Sequence, residues 1–180
     1  PETQILELPD VVGRSELLVL SVPDAVLGEV VADIAASGTL RPGTLVAHTA
    51  GASGIGVLTP LADLGAMTLA IHPAMTFVGS DDDTARLRRA CFGVTAADEV
   101  GFAIAQSLVL EMGGEPVRIA EPDRQLYHAA LAHGSNHLVA LICDAVSALD
   151  AAIDGDSGAR GTATVDGTPV RLAERILGPL

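Results

Sequence analysis

Leu45–Phe77 reads LVAHTAGASGIGVLTPLADLGAMTLAIHPAMTF. Two short apolar runs, Leu45-Val46-Ala47 and Met67 to Ile71, each end in a histidine beside small or turn-forming residues: His48-Thr49-Ala50-Gly51 and His72-Pro73. Short continuous apolar runs suit strands buried on both faces of a parallel sheet. A helical segment, Ile55 to Leu64, lies between them and Gly65 stops it. Open α/β sheets bind ligands outside the carboxyl ends of their strands, so the chemistry is expected at these histidine-bearing ends.

The same alternation extends in both directions. Leu17 to Val22 is a buried strand stopped by Pro23-Asp24; a helix spans Ala25 to Ser37, and Gly38 ends it. After Phe77 come an acidic turn, a short helix from Thr84 to Arg89 and a strand at Cys91 to Val94. Asp98 caps a helix over Val100 to Met112, and Pro116 to Ile119 is a last short strand. β-α units with short connections predict a parallel α/β sheet. At Glu121 the character changes to an almost unbroken helical pattern from Arg124 to about Ile153. At roughly 45 Å for about 30 residues, this helix opens a second, all-α domain. The expected division is 1–120 for the sheet domain and 121–180 for the helical one, with a glycine-rich loop at 155–161 and a further helix from Val170 to Leu177.

Composition removes several function classes. The formal net charge of -13 argues against nucleic acid and against an anionic membrane surface. All ten basic residues are arginine, so there is no lysine for a Walker-type phosphate loop or for Schiff-base chemistry. Cys91 and Cys143 stand far apart and make no dithiol or zinc motif, which fits a reducing cytoplasm. No apolar run is long enough, uninterrupted, to span a membrane.

Several side chains fall where chemistry is expected. Ser21-Val22-Pro23-Asp24 is either an edge where a dinucleotide's ribose or nicotinamide lies, or a plain strand-to-helix turn. Gly51-Ala52-Ser53-Gly54-Ile55-Gly56 has the order G-x-x-G-x-G and reads as a tight turn with Ser53 as helix cap. His72 projects into the crevice from a strand end, as a proton donor or as a shaper of its turn. On the long helix, His128 and Asn136 are candidates for substrate contact. His133 and His137 have the spacing of a metal pair without a third ligand, so no metal site is expected.

Four stretches in order carry a resemblance: LLVLSVPD (Leu17–Asp24), VAHTAG (Val46–Gly51), AIHPAMTF (Ala70–Phe77) and YHAALAHGSN (Tyr127–Asn136). Together they resemble the actinobacterial Rossmann-like proteins that carry the domain of unknown function DUF2520. These are relatives of the F420-dependent NADP oxidoreductases, pyrroline-5-carboxylate reductases and ketopantoate reductases. The resemblance implies a Rossmann domain binding NADP or NAD in the full-length protein, then a helical domain that makes a homodimer. It implies that Ser21, Val22 and Pro23 lie along the cofactor and that Thr49, Ala50 and Gly51 lie near the nicotinamide. It places His72 and Asn136 in the substrate crevice.

Two departures qualify it. The family's chain opens with a strand and a G-x-G-x-x-G turn that nothing here matches, so the sequence is expected to be a fragment without that first segment. The lysine that related dehydrogenases use as proton donor is also missing, and Ala132 stands four residues before Asn136. The expected function is an NAD(P)-dependent reductase of a small keto acid or imine, with 2-ketopantoate the first substrate to try. The catalytic candidates are His72, Asn136 and His128. The alternative is a non-catalytic nucleotide-binding or dimerisation module on the same frame.

Overall fold

The computed structural model describes residues 4–154, 162–165, 168–171, 173 and 177, in two compact units, Pro1–Ala129 and Ala130–Leu180. The first unit is an α/β layer structure. Its elements are α1 (Leu8–Arg14), β1 (Leu17–Leu20), α2 (Asp24–Ala36), β2 (Leu45–His48), α3 (Thr59–Ala62) and β3 (Met67–Pro73). They continue with α4 (Asp82–Leu87), β4 (Cys91–Ala96), α5 (Glu99–Glu111), β5 (Glu115–Arg118) and the start of α6 (Arg124–Asp154). Single 3-10 turns precede α3 (Ile55–Leu58) and α6 (Glu121–Asp123). The strands form one sheet in sequential order β1-β2-β3-β4-β5. The Rossmann-type α/β sheet expected from the sequence is present.

Side chains alternate between the two faces of the sheet as the pleat requires, and β2, β3 and β4 are buried on both. Leu18, Leu20 and Val46 face one side, where Val12 of α1, Leu27, Val31 and Ile34 of α2, and Leu61 of α3 complete a core. Ala47, Leu69, Ile71, Phe92 and Val94 face the other, packed on Ala105 and Val109 of α5. On that second side the β1 residues have less cover, and Val19 is 58% exposed. The expected helix ends hold. Asp98 Oδ1 accepts the Gly101 N–H at 2.8 Å to cap α5, and Gly38 and Gly113 take the left-handed φ values, 67° and 82°, that finish α2 and α5.

The sheet is only mostly parallel. β1, β2 and β3 run together, but β4 pairs antiparallel with β3, with His72 opposite Gly93, and β5 follows β4 in parallel. Antiparallel neighbours need no crossover, and the chain leaving β3 makes none: it turns at the same end of the sheet and comes back beside β3.

In the second unit, α6 continues from Ala130 to Asp154 with Leu138, Val139, Leu141 and Ile142 exposed. Over Glu121–Ile153 the helix is long and apolar enough to cross a membrane by length and composition, its best 18-residue window having a mean hydropathy of 1.4. A count of uninterrupted apolar runs does not find it, because His128, His133, Asn136, His137 and Asp144 break the runs. Beyond the helix, Thr162–Val165 (β6) and Thr168–Arg171 (β7) form an antiparallel pair. Val170 and Arg171 are therefore strand, not the start of the expected helix. Alternating β-branched residues around Pro169 favour extended backbone there. The glycine-rich stretch at 155–161 and most of the rest of that expected helix lie outside the described residues.

Candidate functional site

The carboxyl ends of β1, β2 and β3 open on a cavity of about 810 Å³, within the range of small-molecule sites. Ser21, Thr49 and His72 line it at the strand ends, and Val19, Ala47, Ile71 and Phe92 line it along the sheet. Three of the residues expected from the sequence therefore meet in one cavity. The others take different places. Val22 and Ala50 pack with the first core, Pro23 is the exposed N-cap of α2, and Gly51 is buried beside the histidines.

His72 is half-buried, with its side chain on the face of the sheet where Gly93 is its neighbour on β4. Because Gly93 has no side chain, the ring of Tyr127 rests there; a Cβ at Gly93 would come within 2.7 Å of the Tyr127 hydroxyl. That hydroxyl lies 2.9 Å from His72 Nδ1, and the two rings meet edge to face at 5.6 Å. His128 meets the other flank of His72, with ring centroids 6.1 Å apart. Gly51 is the floor of the cluster, since a Cβ on it would run into His128 Nδ1 and His72 Nε2. Burial, then the Arg124 guanidinium and the His128 ring, lower the His72 pKa to about 4, although the carboxylate of Asp24 opposes this. His72 is thus neutral near pH 7. Nδ1 and the Tyr127 hydroxyl share one hydrogen bond, and Nε2 lies next to Gly51. Burial pushes the Tyr127 phenol up, against the pull of Arg124, so it keeps its proton.

The second strand-end histidine behaves differently. His48 is fully buried, its Nδ1 accepts the Ala50 N–H at 3.2 Å, and its Nε2 donates to the Gly54 carbonyl at 2.8 Å. Both ring nitrogens serve the backbone, and burial lowers its pKa. His48 shapes the turn.

The glycine-rich turn departs from its sequence reading. Ser53 does not cap the short helix; Gly54 is the N-cap, without a side-chain cap bond. The acceptor is Glu121, distant in sequence, whose carboxylate takes the N–H groups of Ile55 and Gly56 at 2.8 and 2.9 Å. A serine hydroxyl satisfies one such N–H, whereas a carboxylate satisfies two with charge-assisted bonds. Arg124, only 1% exposed, donates through Nε to the Ser53 carbonyl at 3.0 Å and through Nη1 to the Gly93 carbonyl at 3.2 Å. Its Nη2 and His128 Nδ1 are buried without a hydrogen-bond partner among the described residues.

Asn136 is exposed and belongs to the second unit. His133 and His137 lie with rings 4.3 Å apart, His137 Nδ1 bonding the His133 carbonyl at 3.1 Å. No third metal-ligating side chain joins them among the described residues. Sequence reasoning passed over Tyr127 and Glu121. The available signals were a tyrosine one residue before His128 and an acid at the mouth of a long helix.

A Rossmann-like domain model matches residues 1–73, and the model described as Domain of unknown function (DUF2520) matches residues 90–180. No protein of curated function matches the chain. Among solved structures, a Bacteroides fragilis protein assigned as an NADP oxidoreductase superposes with a TM-score of 0.64 at 18% identity, over 81% of this chain and 53% of that one. A Thermotoga maritima protein gives 0.59 at 21% identity, over 77% and 51%. Prephenate dehydrogenase of Aquifex aeolicus gives 0.59 at 16%, over 81% and 53%. The chain spans about half the length of these structures, and at such identities the likeness is one of fold. The DUF2520 match covers 91 of the 180 residues, and the chain belongs to the DUF2520 family.

Proposed function

We propose that the protein is an NAD(P)-dependent reductase of a small keto acid or imine, and that the site described above is its substrate end. The observation that carries this reading is the neutral His72, held by Tyr127 and lining the cavity at the strand ends. Ser21 and Thr49, whose strands end on the same cavity, suit the nicotinamide end of a dinucleotide. The glycine-rich turn does not suit its pyrophosphate, because Glu121 already occupies the N–H groups of Ile55 and Gly56. When bound, the nicotinamide supplies hydride.

The chain's own residues supply orientation and a proton path. His72 Nε2–H donates a hydrogen bond to the substrate oxygen or nitrogen, and Tyr127 fixes the tautomer that allows it. With its pKa near 4, His72 is rarely a cation at neutral pH, so Nε2–H orients the substrate while solvent water gives the proton and its hydroxide returns to bulk solvent. His128, whose ring meets that of His72, orients the substrate. The helical unit makes a homodimer through the exposed Leu138, Val139, Leu141 and Ile142, and the protein is cytoplasmic, in keeping with free Cys91 and Cys143.

NADPH and NADH fluorescence titrations of the whole natural protein, with His72→Ala alongside, test this reading. The expected result is saturable binding that survives the substitution, with turnover of 2-ketopantoate or a related keto acid lost. Failure of both cofactors to bind would leave a non-catalytic module, the reading that the absence of lysine favours.

A further inference from the structure

The loop from Ala50 to Gly56 is tied at five backbone atoms by three side chains. His48 holds the Ala50 N–H and the Gly54 carbonyl, Arg124 holds the Ser53 carbonyl, and Glu121 holds the Ile55 and Gly56 N–H groups. Two of these three side chains come from the turn that begins α6. The glycines fit this arrangement: a Cβ at Gly54 would run into the Glu121 carboxylate, and one at Gly56 would lie 3.1 Å from it. Arg124 also reaches β4 through the Gly93 carbonyl, beside the site where Tyr127 rests. Tyr127 and His128 follow Arg124 by three and four residues, so all three share one helix face.

We propose that Glu121 and Arg124 are positioning residues for His72. They form a two-point clasp that locks the start of α6 onto the β2 loop and β4, which sets Tyr127 and His128 against the His72 ring. The glycine-rich turn is, on this view, a receptor for the protein's own carboxylate. Its functional meaning rests on His72 being the working imidazole, but the geometry can be tested without turnover.

The chain contains one tyrosine and no tryptophan, so alkaline difference absorbance reads Tyr127 alone, and proton NMR of the five histidines reads His72. In Glu121→Ala the Tyr127 midpoint should fall toward the ordinary value of about 10. The His72 midpoint should rise from about 4 toward 6.5, with the far-UV helix signal kept. Glu121→Asp preserves the charge and shortens the reach, and should move both midpoints the same way. Unchanged midpoints in a folded Glu121→Ala overturn the proposal. So does a Glu121→Asp protein that titrates like wild type, since the carboxylate would then act through charge rather than position. Should Glu121→Ala not fold, the Asp variant decides alone. Loss of cofactor binding in the natural protein would remove the reductase reading and leave these titrations as they are.

Discussion

The neutral state of His72 makes stability depend on acid in a narrow window. Its pKa is about 4 in the folded protein and 6.5 when free of its surroundings. Above pH 6.5 the ring is uncharged in both states and costs nothing. As the pH falls from 6.5 to 4, the unfolded chain takes up a proton that the folded chain refuses, so stability drops; below 4 both are protonated and the loss levels off. At about 1.4 kcal/mol per pH unit the full effect is about 3 kcal/mol. Between pH 7 and 5 the share is about 1–2 kcal/mol, allowing for partial solvent screening of a half-buried ring. The groups acting on it are Arg124, His128 and His48, which deepen the effect, Asp24, which opposes it, and the Tyr127 hydroxyl. Urea unfolding of wild type and His72→Gln at pH 7 and pH 5 isolates the term, because carboxylates and His48 titrate in both proteins and cancel. Wild type should lose about 1–2 kcal/mol more than the variant across that interval. Equal losses would refute the assignment of a buried, neutral His72.

Other substitutions probe the surrounding structure. Gly51→Ala should lower stability by about 1–3 kcal/mol, read in Tm, because the new methyl meets both His72 and His128 rings and neither can swing away cheaply. Asp98→Ala removes the acceptor for the Gly101 N–H and should cost about 1 kcal/mol in urea unfolding. Glu99→Gln weakens the two 2.6 Å bonds with Arg118, yet the pair is solvent-exposed, so Tm at physiological salt should not change measurably.

What the sequence shows of this molecule follows the range of the forces involved. β1, β2, β3 and the cap at Asp98 are local patterns, and the structure keeps them. The direction of β4 was not legible: the β-α alternation predicts a parallel sheet, whereas β4 returns antiparallel beside β3. The β6–β7 pair had a local mark too, since only Asp166-Gly167 separates Val165 from Thr168, the dipeptide that favours two-residue hairpin loops. The His72 cluster was half legible. A histidine at a strand end points to a crevice, but its partner was set by the register that places Gly93 opposite it and opens room for Tyr127, 55 residues away. No period or motif within either segment records that meeting.

The glycine-rich turn shows most clearly how a local pattern can mislead about chemistry while being right about geometry. Gly51, Gly54 and Gly56 do allow a close approach to backbone amides, as they would in a phosphate grip. The visitor is Glu121, and its bidentate hold on Ile55 and Gly56 leaves those amides no capacity for a second anion. A nucleotide phosphate could take them only by expelling a carboxylate that is already charged and already well placed, an exchange of like for like with little gain. Any dinucleotide bound at the strand ends must therefore direct its phosphates elsewhere. What this chain offers it is the cavity beside Ser21, Thr49 and His72, which suits an uncharged ring better than a phosphate.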